Sequence, residues 1–216
     1  METQPAKKNI SSYIIQSQED EIKRIALELH EGVGQTLYSL YTGMQFIQTA
    51  VDQPEMKDYI GDMAQMMEKA IQEIRLLAVE LHPPALGTLG LFPALKSYLK
   101  LYTSTYGIIV DLQNEGKEVQ IRERERITLF RVCQEALANI ARYADTMSAG
   151  IILRWEPGKL SITIQDKGKG FDVDAAMKNS AGIAAMMERM LLINGRCVIS
   201  SKIGEGTSID ITLPLY

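Results

Sequence analysis

The feature that most constrains this chain is a helical pattern of about 40 residues that no proline interrupts. From about Ile10 to Ala50, Ile22, Ile25, Leu29, Val33, Leu40 and Ile47 recur at spacings of three, four and seven. At ~1.5 Å per residue such a stretch makes a rod of about 60 Å, too long for an ordinary globular helix. The segment VDQPE supplies a turn at Pro54, and a second helical pattern runs from Met56 to Leu81. Ile60, Met63, Met67, Ile71, Ile74, Leu77 and Leu81 mark its apolar side, and His82-Pro83-Pro84 ends it, because proline disfavours helix in the residue before it. Two long amphipathic helices cannot bury both stripes against each other alone. A second copy solves this by closing a four-helix bundle, so residues 10–82 predict a homodimer.

After PPALGTLGLFPAL the texture changes. A helix is expected over Phe92–Tyr106, a strand at IIVDLQ, and a helix over about 121–144. Then come period-two runs bounded by glycine: SAGIILRWE, KLSITIQDKGKGF and RCVISSKIGEGTSIDITLPL. Between the last two, AGIAAMMERMLLING reads as a helix with Gly195 as its C-cap. The fold class is therefore α+β, a two-helix hairpin over 10–85 followed by a sandwich over 90–216, in which one mixed sheet lies under a layer of helices. Hydrophobic residues make up 46% of the chain and charged residues 23%, enough apolar material for a core. The net charge of −4 leaves no electrostatic footprint for nucleic acid. Cys133 and Cys197 lie in apolar surroundings and read as reduced core residues. No apolar run approaches the ~18 residues of a spanning helix, and METQPAKKNI has no signal-peptide core. No membrane contact is expected within this chain, and a cytoplasmic location follows, with a membrane anchor on a longer parent left open.

Several polar motifs interrupt this apolar frame. Asp166-Lys-Gly168-Lys-Gly170 closes a strand; its glycines let backbone approach a ligand, and Asp166 can accept a hydrogen bond from an exocyclic amine. Glu135 and Asn139 stand four apart on a helix and so share a face. The Asn139 carbonyl oxygen suits Mg²⁺, a hard ion that takes few protein ligands. Gly182 opens a later helix, and G-E-G-Thr207 enters the final strand. Each motif alone also fits a plain turn or a polar helix face. In this order and spacing, over about residues 90–215, they resemble the GHKL ATP-binding fold of histidine kinases, gyrase and Hsp90. The resemblance implies that Asn139 holds Mg²⁺ and that Asp166 reads the adenine amine. It also implies that Gly168, Gly170 and Gly182 frame the nucleotide and its lid, and that Thr207 supports Asp166 through the adenine site.

The first helix carries HEGVGQ, with His30 beside Glu31 and an amide at Gln35. It begins like the zincin motif H-E-x-x-H, but Gly34 stands where the second zinc ligand is needed. On a regular helix Leu29 and Val33 belong to the buried stripe, while His30 and Gly34 are rotated off it by ~100° per residue. ELHEGVGQ, LHPPALGTLGLFPAL and VCQEALANI together resemble the sensor histidine kinases of the NarL-partnered class, which includes the DesK-like enzymes. That resemblance implies that His30 is the phosphoacceptor, Glu31 the adjacent acid and Gln35 the amide that positions water. The same resemblance implies Glu135 as the catalytic member of the nucleotide half, ATP and Mg²⁺ as cofactors, and the receiver domain of a response regulator as partner. The family often has histidine at the position of Tyr143, a second glycine near Ala185 and aspartate at the position of Glu31. A scaffold that binds nucleotide without transferring phosphate, and a GHKL serine kinase or ATPase with no use for His30, are the competing readings.

Overall fold

The computed structural model describes residues 4–215. They fall into two compact units, Met1–Pro83 and Pro84–Tyr216.

The first unit is a helical hairpin. α1 (Gln4–Leu27) runs into a π turn at Glu28–Val33 and continues as α2 (Gly34–Ala50), so the long rod is one helix with a widened turn inside it. The extended residues Val51–Gln53 reverse the chain, and α3 (Pro54–Leu81) begins with its proline in the first turn, where the missing N–H would have no partner anyway. His82 closes α3 in extended conformation, its N–H bonded to Ala78 O, as the following prolines require. Both α2 and the π turn pack on α3. The π turn corrects one sequence expectation. Gly34 is buried and Val33 is 42% exposed, the reverse of what a regular helix gives. The Gly34 N–H reaches back five residues to Leu29 O, and this extra residue per turn shifts the rotation of everything after it.

The second unit is the sandwich. α4 (Pro84–Thr88) and α5 (Leu91–Tyr106) precede β1 (Ile109–Glu115). α6 (Glu123–Asn139) ends in a second π turn, Ile140–Ala144, and leads to the hairpin β2 (Ser148–Glu156) and β3 (Lys159–Asp166). α7 (Val173–Asn179) and α8 (Ala181–Leu192) lead to the hairpin β4 (Arg196–Lys202) and β5 (Gly206–Pro214). The sheet order is β1-β2-β3-β5-β4, with β1 parallel to β2 and every other pair antiparallel. The parallel pair needs a crossover, and α6 provides it. Period-two alternation turns Ile151, Leu153 and Trp155, Leu160, Ile162 and Ile164, and Ile209, Ile211 and Leu213 inward, where they form the core with Leu129, Phe130, Val132 and Leu137 of α6. Cys133 and Cys197 are free and buried. Burial pushes their thiols up, to about 12 and about 11.

Two details differ from the sequence reading. The left-handed residue that ends α8 is Asn194, at φ 58°, rather than Gly195. Asn194 N–H bonds Leu191 O and Gly195 N–H bonds Met190 O, so asparagine occupies the left-handed position and glycine the one after it. The sequence reading also omitted α7, a short helix capped by Asp172, whose Oδ1 accepts from Ala175 N at 3.1 Å.

Candidate active site

In the sandwich one side chain breaks a pattern. Along β3 the inward positions are Leu160, Ile162, Ile164 and then Asp166, a carboxylate only 8% exposed at the end of an apolar row. A buried carboxylate is costly unless its oxygens are used. Asp166 Oδ1 accepts from Gly168 N at 2.8 Å, and the residue lines a cavity of about 600 Å³. That volume falls within the range of small-ligand pockets. Ile140, Ile164, Ile183, Met186, Ile199 and Ile209 supply apolar walls, which suit a flat heterocycle, and Asp166 supplies an acceptor at their edge.

The glycine loop after β3 is fixed by contacts that a side chain would destroy. A Cβ on Gly168 would lie 2.1 Å from Ala144 O, the carbonyl that already accepts from Lys169 N at 2.8 Å. Gly170 sits at φ 59°, in left-handed conformation, where glycine carries no penalty. The π turn at the end of α6 thus presents the Ala144 carbonyl to the glycine loop and clamps it to the helix that carries Asn139. Tyr102 steadies the same helix from α5, its hydroxyl donating to Leu137 O at 2.9 Å. Burial, reinforced by Tyr106 and Asp166, pushes that hydroxyl up to about 12, so it stays a donor.

Glu135 and Asn139 both face the cavity, one turn apart on α6. Across from them, α8 begins with Ser180 as its cap, the hydroxyl accepting from Ile183 N at 3.3 Å. A Cβ on Gly182 would stand 2.1 Å from Glu135 Oε1. Glycine at this position leaves room for the Glu135 carboxylate where it stands, and the Glu135 carboxylate, the Asn139 amide and the first turn of α8 surround one space. Arg142, Tyr143 and Lys169 also line it. The sequence reading named no cation here, although Arg142 lies three residues after Asn139 and so shares its side of the helix. Thr207 stands opposite Asp166 in the β3–β5 register. Its hydroxyl meets Ser201 Oγ at 3.0 Å, and Ser201 Oγ also accepts from Phe171 N at 3.0 Å. Ser201, absent from the sequence reading, therefore joins Thr207 to the far end of the glycine loop.

In the hairpin the arrangement is simpler. His30, Glu31 and Gln35 are all exposed on the π turn and the start of α2. One turn earlier Arg24 bridges Glu21 and Glu28, with both Nη contacts at 2.6 Å. This hydrogen bonding holds the Glu21 carboxyl below its ordinary range and Arg24 above its own. Thr36 Oγ1 donates to Gly32 O at 2.9 Å and Ser39 Oγ to the backbone Gln35 O at 2.9 Å.

These two arrangements have counterparts among known proteins. A model of the family described as histidine kinase matches residues 21–86, and one described as histidine kinase-, DNA gyrase B- and HSP90-like ATPase matches residues 124–216. The chain belongs to the histidine kinases of the DesK-like class. It is 32% identical over 205 residues to the signal transduction histidine-protein kinase/phosphatase DegS of Brevibacillus brevis, covering 94% of this chain and 53% of that protein. It is 32% identical over 202 residues to the oxygen sensor histidine kinase NreB of Staphylococcus carnosus, covering 93% and 58%. This histidine kinase chain thus spans little more than half the length of those relatives. Among solved structures, the histidine kinase domain of a blue-light activated histidine kinase from Erythrobacter litoralis superposes with a TM-score of 0.52 at 15% identity, over 84% of this chain and 94% of that one. That likeness speaks to the fold. Among the described residues, no helix is long and apolar enough to cross a membrane.

Proposed function

We propose that the chain is the catalytic core of a two-component histidine kinase, with residues 10–85 as its dimerisation and phosphotransfer domain and residues 90–216 as its ATP-binding domain. The observation that carries this reading is Asp166, a carboxylate buried at the end of an apolar strand row and opening onto a cavity with apolar walls. Such a group accepts a hydrogen bond from the adenine amine, while the isoleucine walls take the ring faces. The triphosphate then runs toward Asn139, Arg142, Lys169 and the first turn of α8, where N–H groups and cations favour anions. The residues fit Mg²⁺: Asn139 would hold it through one neutral oxygen, beside Glu135, because this hard ion takes few protein ligands. When bound, Mg²⁺ neutralises charge on the transferring phosphoryl group.

In the phosphotransfer step one imidazole nitrogen of His30 attacks the γ-phosphorus in line. A P–N bond forms, the bond to the β,γ-bridging oxygen breaks, and ADP leaves with that electron pair. The other ring nitrogen gives up its proton to Glu31 or to water, which keeps the attacking nitrogen nucleophilic. The phosphoryl group next passes to an aspartate of a response-regulator receiver domain. Gln35 orients water for the opposite reaction, hydrolysis of that phosphoaspartate, by positioning rather than by acid–base action. Dimerisation follows from the exposed apolar side chains of the hairpin, with Phe46 at 74%, Tyr59 at 62% and Met66 at 63%. A second copy would cover them.

The test is incubation with γ-labelled ATP. The parent takes up acid-labile, base-stable label, as phosphohistidine is, and Asp166→Asn takes up at least about tenfold less because it loses the carboxylate acceptor. Equal labelling by the two proteins removes Asp166 from the nucleotide site.

A further inference from the structure

Histidine and glutamine five residues apart do not share a face of a regular α-helix. At ~100° per residue they stand ~140° apart around the axis, so a shared task for His30 and Gln35 needs the helix to depart from α geometry. It does so at that place, in the π turn Glu28–Val33, where Gly34 N–H bonds Leu29 O five residues back. π geometry accounts for well under 1% of residues in globular proteins and concentrates at functional sites. This chain has two such turns among its described residues. The other, Ile140–Ala144, follows Asn139 and clamps the glycine loop. Both widened turns therefore fall where the reading of the protein as a kinase places chemistry.

The two glycines around the turn are not equivalent. A Cβ on Gly32 would meet nothing within 4 Å, whereas a Cβ on Gly34 would lie 3.2 Å from Leu29 O, the oxygen that its own N–H must reach. Gly34 is also buried, while Gly32 is exposed. In both places alanine would favour regular helix by ~1 kcal/mol over glycine, but only at position 34 does the methyl crowd the π bond itself.

We infer that the π turn closed by Gly34 is a positioning device that brings Gln35 round onto the face of His30, and that Gly34 is the positioning residue. The bond from Gly34 to Leu29 stacks those two residues; His30 lies inside the widened turn, and Gln35 is the second residue of α2, just beyond it. Relative to an α-helix they are rotated toward each other, so that one docked receiver aspartate meets both the imidazole and the amide. The inference rests on the roles proposed for His30 and Gln35, but its geometry can be tested without ATP or a regulator.

The probe is Cu²⁺ alone, added to the full-length chain carrying Gln35→His. Two imidazoles on one face chelate copper, while two at ~140° do not. The variant binds one Cu²⁺ per chain with the paramagnetic-resonance signature of two imidazole nitrogens. Adding His30→Gln weakens binding at least tenfold and leaves one nitrogen, which separates this pair from any Glu31 contribution. Adding Gly34→Ala does the same, and adding Gly32→Ala does not, with helical circular dichroism unchanged throughout. Two-nitrogen binding that survives Gly34→Ala, failure of Gln35→His to chelate at all, or equal loss with Gly32→Ala overturns the inference. A parent that takes no label from ATP overturns the kinase reading instead, whatever copper reports.

Discussion

The hairpin and the sandwich distribute apolar surface in opposite ways. Among the described residues, the buried apolar side chains of the hairpin are Ala26, Ala64, Ile71 and Ala78, while Tyr38, Leu40, Phe46, Ile47, Tyr59 and Met66 stand exposed. The sandwich instead buries Leu95, Tyr102, Phe130, Leu137, Ile151, Leu160, Ile162 and Ile211 to 5% exposure or less. One unit closes its core within a single chain; the other leaves many large apolar side chains exposed. The polar exceptions differ as well. In the sandwich the informative residue is buried, Asp166, and in the hairpin the informative residues are exposed, His30, Glu31 and Gln35. On the proposed reading the difference has a reason: a nucleotide pocket needs preorganised, dry groups, whereas a phosphoacceptor must be open first to its donor and then to its acceptor.

That contrast can be broken most forcefully in the sandwich core. Phe130, 1% exposed and edge-on to Tyr98 at 5.6 Å, predicts a loss of about 3–5 kcal/mol for Phe130→Ala in denaturant unfolding. Phe46→Ala in the hairpin, by comparison, alters stability only through dimerisation, so its effect disappears when unfolding is compared at concentrations where parent and variant are both monomeric. A concentration-independent loss of comparable size at Phe46 would show that the hairpin closes its own core.

A smaller thermodynamic effect with a large kinetic one is expected at Asn139. The side chain is half-buried and lines the cavity proposed to hold the nucleotide. Asn139→Asp keeps its shape, so stability changes by less than about 1 kcal/mol, while the added charge repels phosphate and slows autophosphorylation at least about tenfold. Autophosphorylation within a few-fold of the parent would remove Asn139 from the metal site.

The smallest effect concerns pH. Burial lifts the Cys133 thiol from 9.0 to about 12. The unfolded chain releases this proton as pH rises through about 9, and the folded chain keeps it until about 12. The thiol therefore lets stability stand in full below that window and erodes it on the way up. From about pH 8 to about pH 10, unfolding free energies of the parent should fall by about 1 kcal/mol more than those of Cys133→Ala. Equal slopes would mean that Cys133 is wetter than its packing.

Much of this was legible in the sequence, and the gaps have physical causes. Period-two alternation located β2, β3 and β5 because one face of each is buried, and proline punctuation located the end of α3. Asp166, Glu135, Asn139 and Gly182 were legible as spaced motifs, and the structure brings them around one cavity. Gly168 contributes from beside that cavity, through its N–H to Asp166. The π turns were not legible, because a repeat of three and four cannot register one residue too many in a single turn. Hence Gly34 was placed off the buried face, although it packs inward. Ser201 was missed for another reason: a serine on an edge strand carries no local signal, and only the fold brings it to Phe171 and Thr207. Asn194 in left-handed conformation likewise looks like any asparagine until the α8 terminus is built.

The central claim is that the sandwich prepares a phosphoryl group that His30 of the hairpin receives. Its most direct test is to label the full chain with γ-labelled ATP, digest it under neutral conditions and locate the phosphoryl group by mass spectrometry. The account predicts acid-labile phosphate on the peptide containing His30 and none on that containing His82, the only other histidine. It also predicts no label in His30→Gln, whose exposed site leaves folding and ATP binding intact. Label on His82, on a serine or threonine, or at parental level in His30→Gln would contradict it.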